Sequence, residues 1–348
     1  MPEEAALDTS RYRRLVPVAV ASAVLVTAAI LLAASLGKTD LRDVLRSVDW
    51  RVLPLALALH VAAHVFWAAR FTVIARAAEV PMGPMASWGT ITAGVFGGAV
   101  TPGRIGGEGL KLALLLRRGV DAGRSGRLLV ADRAADLVFF LVLGLVAIVL
   151  LPPLFGAEAA AARGFAVAGS LMLGLFLALL AAFLWAPQRT GAVLERMVAA
   201  AFRILRREAP TLRDGLHRFL EQARHGLVDV LGRRPGLTLV ALVLTLANWV
   251  VEFGAIWILL HGFGHDVPYW MVFFVGIVLT MVANIPLTPG GSGVAEAAAL
   301  ALLTPLAPGL SPLFVVAWRA MTYQYDLLVG GITASILLGT VARPHDNR

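Results

Sequence analysis

Residues 282–300 read VANIPLTPGGSGVAEAAAL and set two prolines, three glycines and Glu296 inside one of the most apolar regions of the chain. A second stretch, GGAVTPGRIGGEGLKLALL at residues 97–115, repeats the Thr-Pro-Gly element and follows it with Glu108. Proline lacks a backbone N–H and stops a helix, while glycine permits turns and close backbone approach. Such breaks are costly in lipid, where each backbone polar group needs a partner inside the protein. A tight turn between two helices would use the same residues. A turn alone gives no reason for the matched carboxylates, so the two breaks are read as one device used twice.

Composition sets the class. The chain has 348 residues, is 59% hydrophobic and 15% charged, and has a mean hydropathy of +0.80. These values predict an all-α polytopic membrane protein. Cysteine is absent, which excludes a disulfide framework and thiolate metal ligation. The net charge of +8 is nearly all arginine, because Lys38 and Lys111 are the only lysines. The arginines flank apolar spans, as in cytoplasmic membrane loops, so nucleic acid is not expected as a partner. No GxxxxGK[ST] loop occurs, and ATP hydrolysis is not expected.

Spanning windows fall at residues 15–36, 52–75, 127–151, 164–186, 237–260 and 313–341, which predicts six full transmembrane helices. The regions 84–116 and 268–306 are too long for one simple helix and are broken at Thr-Pro-Gly. Segment 188–236 carries ten arginines against five acids and is predicted to be cytoplasmic. Arg11, Arg13 and Arg14, the loop with Arg117, Arg118, Arg124 and Arg127, and the tail with Arg343 and Arg348 go to the same side. The connections PPLFGAEAAAA, HGFGHDVP and TPLAPGLSP carry no lysine or arginine and read as external. The loop GKTDLRDVLRSVDWR, with four basic residues and three aspartates, fits its external placement least well. These assignments agree only if each broken region enters and leaves on one side as a re-entrant hairpin. Both termini are then cytoplasmic.

A shift of 187 residues superposes Pro81 on Pro268, Thr101 on Thr288, Pro102 on Pro289, Gly103 on Gly290 and Gly106 on Gly293. Glu108 falls one residue short of Glu296. The chain therefore divides into an N-terminal span and connection (1–51), a first repeat (52–151, hairpin 84–116), and a connecting span with a basic segment (152–236). A second repeat (237–341, hairpin 268–306) and a short tail (342–348) complete it. By the charge assignment the repeats have opposite orientation, the inverted architecture that alternating access uses around a central site. Apolar residues among the arginines of 190–232 suit amphipathic helices on the inner leaflet, and equally a cytoplasmic linker.

Ionisable residues inside a membrane are functional candidates, because burying one unpaired costs at least about 2.5 kcal/mol. Arg104, Glu108 and Lys111 surround the first break, with Asp132, Arg133 and Asp136 early in the following span. Glu296 follows the second break, with Arg319 and Asp326 in the last span. Freed backbone and hydroxyl groups at Thr288, Gly290, Gly291 and Ser292 can also meet a polar ligand. Arg133 and Arg319 lie 25 and 23 residues after Glu108 and Glu296, which suggests two guanidinium groups gripping phosphate oxygens from two sides. An internal Arg133–Asp136 salt bridge and a helix-capping role for either glutamate are the plain alternatives. His60 and His64 share a helix face, without a HExxH motif or an obvious third ligand, so no metal site is expected. Asn248 and Glu252 form a similar pair in the matching span of the second repeat.

The segments TPGRIGGEGLK, ADRAADL, PLTPGGSGVAE and WRAMTYQYD resemble the lysylphosphatidylglycerol synthase transmembrane region, a family found alone or fused to an aminoacyl-lipid synthase. The resemblance spans nearly the whole chain. It implies a flippase-like role: in fused enzymes this region moves aminoacylated phosphatidylglycerol outward, and stand-alone relatives are linked to polyprenyl-phosphate or other glycolipids. Arg104, Glu108, Lys111 and Arg133, with Glu296 and Arg319, match the family's polar central residues. The expected function is therefore transport of an anionic, phosphate-bearing membrane lipid, with no cofactor and no catalysis. An enzyme acting on a polyprenyl phosphate, with Glu108 or Asp136 as base, is one alternative. A membrane partner of a separate lipid synthase is the other.

Overall fold

The computed structural model describes residues 48–150, 234–285 and 288–340, together with Val167, Leu171 and Gly174. The spans expected at 15–36 and 164–186, the segment 190–232 and the tail 342–348 lie outside the described residues, apart from those three positions. Every regular element among the described residues is helical. The helices are α1 (Val52–Ala77), α2 (Pro84–Ala99), α3 (Ile105–Arg117), α4 (Ala122–Leu150) and α5 (Pro235–Gly262). They continue with α6 (Tyr269–Ala283), α7 (Val294–Leu303), α8 (Pro312–Arg319) and α9 (Tyr325–Thr340); a π-helical turn, Ala320–Gln324, joins α8 to α9.

Local chemistry sets the helix starts. Pro84, Pro235 and Pro312 open α2, α5 and α8 in the first turn, where a missing N–H costs nothing. Helix α4 begins ahead of the apolar window at 127, because the Arg124 N–H donates to Asp121 Oδ1 at 3.0 Å and caps it there. Helices α1 and α5 are long and apolar enough to cross a bilayer on those grounds alone. They run antiparallel: the Asp49 N–H donates to Gly262 O (2.9 Å) at one end, and Arg234 Nη1 donates to Arg76 O (3.3 Å) at the other.

Both broken regions fold as helical hairpins, with their breaks at the Thr-Pro-Gly elements. Helices α2 and α3 are in backbone contact, since a Cβ added to Gly97 would lie 2.6 Å from Gly106 O, and one added to Gly107 would lie 2.7 Å from Gly94 O. In the α6–α7 hairpin, a Cβ on Gly291 would lie 2.5 Å from Ala283 O. The first hairpin opens at the Arg76 end of the bundle, where Ala78, Val80 and Met82 share a core with Leu115 and Val120. The second opens at the Gly262 end, where Trp257 Nε1 donates to Val267 O at 2.9 Å. At 16 and 15 residues, α2 and α6 are shorter than the about 20 needed to cross a bilayer. The hairpins approach from opposite ends and meet tip to tip, with Pro102 and Pro289 forming an antiparallel bridge.

The α2–α3 contact leaves no room for a methyl group. Gly106→Ala, whose Cβ would meet Gly97 O and Thr101 Cγ2 at 2.6 Å, is expected to destabilise the protein by about 1–3 kcal/mol. Gly109→Ala in the same helix meets nothing within 4 Å and is expected to stabilise it by about 0.5–1 kcal/mol. Thermal melts of the two variants in detergent check the pair.

Candidate functional site

The two breaks share their backbone. Gly103 and Arg104 have φ values of 62° and 57°, and Gly290 and Gly291 have 59° and 68°. The shift of 187 residues that superposes the prolines superposes these left-handed pairs as well. Glycine accepts this conformation freely, whereas an L side chain pays roughly 1–2 kcal/mol for it, so Arg104 is strained where Gly291 is not. Contacts across the tips are close: Tyr323 Oη donates to Ala99 O at 3.3 Å, and a Cβ on Gly290 would lie 2.2 Å from Tyr323 Cε2. Each threonine ties its own break. Thr101 Oγ1 accepts from the Gly106 N–H and donates to Gly97 O, both at 2.8 Å, while Thr288 Oγ1 donates to Ser292 O at 2.7 Å.

Beside this junction lies an open cavity, with about 120 Å³ accessible to the centres of water-sized molecules. Its wall includes Arg104, Gly290, Arg319 and Asp326, together with His60, His64, Asn248 and Glu252. Arg319 Nε donates to Glu296 Oε1 at 2.7 Å, and its Nη2 donates to Gly290 O at 3.2 Å and lies 3.5 Å from Ser292 Oγ. The other oxygen of Glu296 accepts from the Gly293 N–H at 2.6 Å. Glu296 therefore caps α7 and anchors Arg319 at once. The Arg319 guanidinium also lies 4.4 Å from the Tyr323 ring centroid. Arg104 Nη2 is 3.6 Å from Asp326 Oδ2. Asp326 Oδ1 faces His60 Nε2 at 3.3 Å and His64 Nε2 at 3.5 Å, and Glu252 Oε2 faces His60 Nδ1 at 2.8 Å.

Glu108, Lys111, Arg133 and Asp136 lie outside the cavity wall and form a second network. Arg133 Nε donates to Glu108 Oε1 at 2.6 Å, the counterpart of the Arg319–Glu296 contact in the other half. Lys111 Nζ bridges Glu108 (2.8 Å) and Asp132 (3.4 Å). At the centre is fully buried Arg70, which contacts Asp132 at 2.8 Å and forks onto Asp136 with distances of 2.6 and 3.0 Å. The network holds Arg70, Lys111 and Arg133 against Glu108, Asp132 and Asp136, so its formal charges cancel. Trp67 and Trp249 stand between it and the cavity: both line the wall, and their Nε1–H groups donate to Asp132 (3.2 Å) and Asp136 (3.1 Å).

A family model described as the lysylphosphatidylglycerol synthase TM region matches residues 15–330. The chain belongs to this family. It is similar to a "UPF0104 membrane protein" of Archaeoglobus fulgidus, 24% identical over 305 residues, covering 85% of this chain and 89% of the relative. A second "UPF0104 membrane protein", from Methanothermobacter thermautotrophicus, is 23% identical over 269 residues, covering 75% and 77% of the two chains. No solved structure gives a significant match. The family places the protein in a membrane.

Within this membrane protein, sequence reasoning passed over Arg70. It lies near the end of an apolar span, with Arg76 beyond it, and reads as a flanking charge. The charge count of the next window, 127–151, gave no hint, since Arg127 and Arg133 balance Asp132 and Asp136; the available signal was a charged residue within an apolar span. Sequence reasoning also separated His60 and His64 from any third ligand; Asp326 lies beside them across 266 residues of chain from His60. Arg70→Ala leaves two buried carboxylates short of a cation and is expected to cost about 3–5 kcal/mol. Arg124→Ala breaks an exposed pair with Asp121 (3.2 Å) and is expected to cost under about 1 kcal/mol. Thermal melts in detergent compare them.

Proposed function

We propose that the protein is a lipid transporter that passes an anionic, phosphate-bearing headgroup between leaflets through the cavity at the hairpin junction. One observation carries this reading: Arg104 from the first half and Arg319 from the second line the same open cavity beside the Pro102–Pro289 bridge. Two guanidinium groups from opposite halves suit phosphate oxygens, which accept paired, charge-assisted hydrogen bonds. Each arginine already rests on a carboxylate of the protein, Asp326 or Glu296, so an arriving phosphate exchanges partners rather than meeting bare charge.

The transport cycle we infer uses two oppositely oriented repeats within six spans and two re-entrant hairpins. The central cavity opens to one leaflet and then to the other. Support comes from the matched left-handed pairs, the matched Arg–Glu contacts and the entry of the hairpins from opposite ends of the bundle. Arg76, Arg118 and Arg234 gather at the end where the first hairpin opens, and Arg117 reaches Leu338 O there. By the arginine rule that end is cytoplasmic, as are both termini. The substrate class is an aminoacyl-phospholipid, a glycolipid or a polyprenyl-phosphate-linked lipid, supplied by a separate synthase and released chemically unchanged.

Arg104→Gly is the cleanest probe, because glycine takes the φ of 57° without strain and Asp326 keeps its two histidine neighbours. Purified protein in liposomes is given fluorescent phosphatidylglycerol and, separately, a polyprenyl phosphate, and lipid movement is read by leaflet accessibility. The native chain is expected to move at least one of them with its mass unchanged. Arg104→Gly is expected to slow that movement at least about tenfold while melting at the same temperature or higher. Unaltered movement in the variant removes Arg104 from the site, and a lipid of altered mass replaces transport with catalysis.

A further inference from the structure

Beside the two arginines, the cavity wall carries two histidines that phosphate binding does not use, next to the Asp326 that faces Arg104. His60 and His64 from α1 and Asp326 from α9 turn one ligand atom each toward a common point, and these three atoms all lie within 4.8 Å of one another. All three residues are buried, yet all line the open cavity. We propose that this group is a binding site for a divalent transition metal of the zinc class.

The distances carry the argument. A tetrahedral metal with ligand bonds of about 2.0–2.2 Å holds its ligand atoms about 3.3–3.6 Å apart. Asp326 Oδ1 lies 3.3 Å from His60 Nε2 and 3.5 Å from His64 Nε2. Both separations match the edge of such a tetrahedron, the His60 one also falling within hydrogen-bond reach, and all three ligand atoms lie within 4.8 Å of one another. The surroundings also fit a metal ligand set. Glu252 contacts His60 Nδ1 at 2.8 and 3.0 Å, so it can hold a proton on that nitrogen when Nε2 ligates a metal. A carboxylate behind a ligating histidine is the usual support of a zinc site. His64 Nδ1 is buried with no hydrogen-bond partner, so its ring is held by packing against Trp67, Trp88 and Tyr325.

The charges leave room for a cation. With neutral imidazoles, Glu252 and Asp326 stand against Arg104 alone, a net of one negative charge. Two nitrogens and one carboxylate oxygen select zinc, cobalt or nickel over magnesium or calcium, which take oxygen ligands. Three protein ligands leave a fourth position for water or for an oxygen entering from the cavity. Metal binding at these ligands does not depend on the transport reading.

The test uses the full chain, purified in detergent with any affinity tag removed, stripped with chelator and loaded with Zn²⁺ or Co²⁺. Metal retained after gel filtration is counted by mass spectrometry, and the cobalt form is examined for the visible absorption of a tetrahedral site. One equivalent per chain is expected, lost in His64→Ala and Asp326→Asn and kept in His261→Ala, whose histidine sits in the last turn of α5 beside exposed Asp266. Glu252→Gln, which removes only the support behind His60, is expected to weaken affinity about 10–100-fold. Native-like melting and a single gel-filtration peak qualify each variant. No retained metal in the native chain, or native-level retention in His64→Ala and Asp326→Asn, overturns the proposal.

Discussion

The structure depends on how two interrupted helices satisfy the backbone that their breaks set free. In a membrane protein such groups cannot rely on water, and an unpaired one costs several kcal/mol. Here each break is tied by its own threonine and by the other break. The Pro102–Pro289 bridge and the Tyr323 hydroxyl on Ala99 O close the junction from both sides. Pro102 and Pro289, which a shift of 187 residues superposes, face each other at this junction.

The halves then diverge in how they spend their charges. Each has a glutamate after the break and an arginine on the following span, joined Nε to Oε1. Glu296 caps its helix, and that leaves Arg319 on the cavity wall. Glu108 shares Lys111 with Asp132, and Arg133 is drawn into the network behind Trp67. The cause lies in the neighbours: Arg70, Asp132 and Asp136 need a balanced set of charges, and Arg133 helps complete it. Burial of Arg70, Lys111, Asp132 and Asp136 is tolerable because the network's formal charges cancel and each finds a partner, with Glu108 half-buried and Arg133 exposed at its edge.

The breaks, and the matching positions of a glutamate and an arginine after each, were legible in sequence because they depend on local chemistry and on spacing. Thr-Pro-Gly cannot continue a helix, and the separation from glutamate to arginine is nearly equal in both halves. The Arg133–Asp136 alternative was also legible, but the structure puts those groups at 3.6 Å and gives Arg133 its close contact with Glu108. What sequence could not supply was partnership across spans. Arg70 finds Asp132 and Asp136 on another helix, and His60 finds Glu252 and Asp326 on two others. Helix packing decides such contacts, and no periodicity within one segment encodes them. Spacing in the sequence suggests Arg133 and Arg319 as the paired cations; the cavity wall instead presents Arg104 with Arg319.

That substitution of roles gives the strained residue its meaning. With Arg133 committed to the buried network, the first half would present no cation to the cavity unless the break itself carried one. Arg104 does so at the position where the second half has Gly291, and it holds a left-handed backbone to stay there. A glycine would remove roughly 1–2 kcal/mol of strain, so stability alone favours its loss. Strain of this kind persists where the surrounding structure fixes it and a function uses it. The guanidinium, 3.6 Å from Asp326 and next to the histidines, is the feature that glycine could not provide. The cavity consequently has one cation on a hairpin break and one on a span, and an anion held between them would contact elements that enter the bundle from opposite ends.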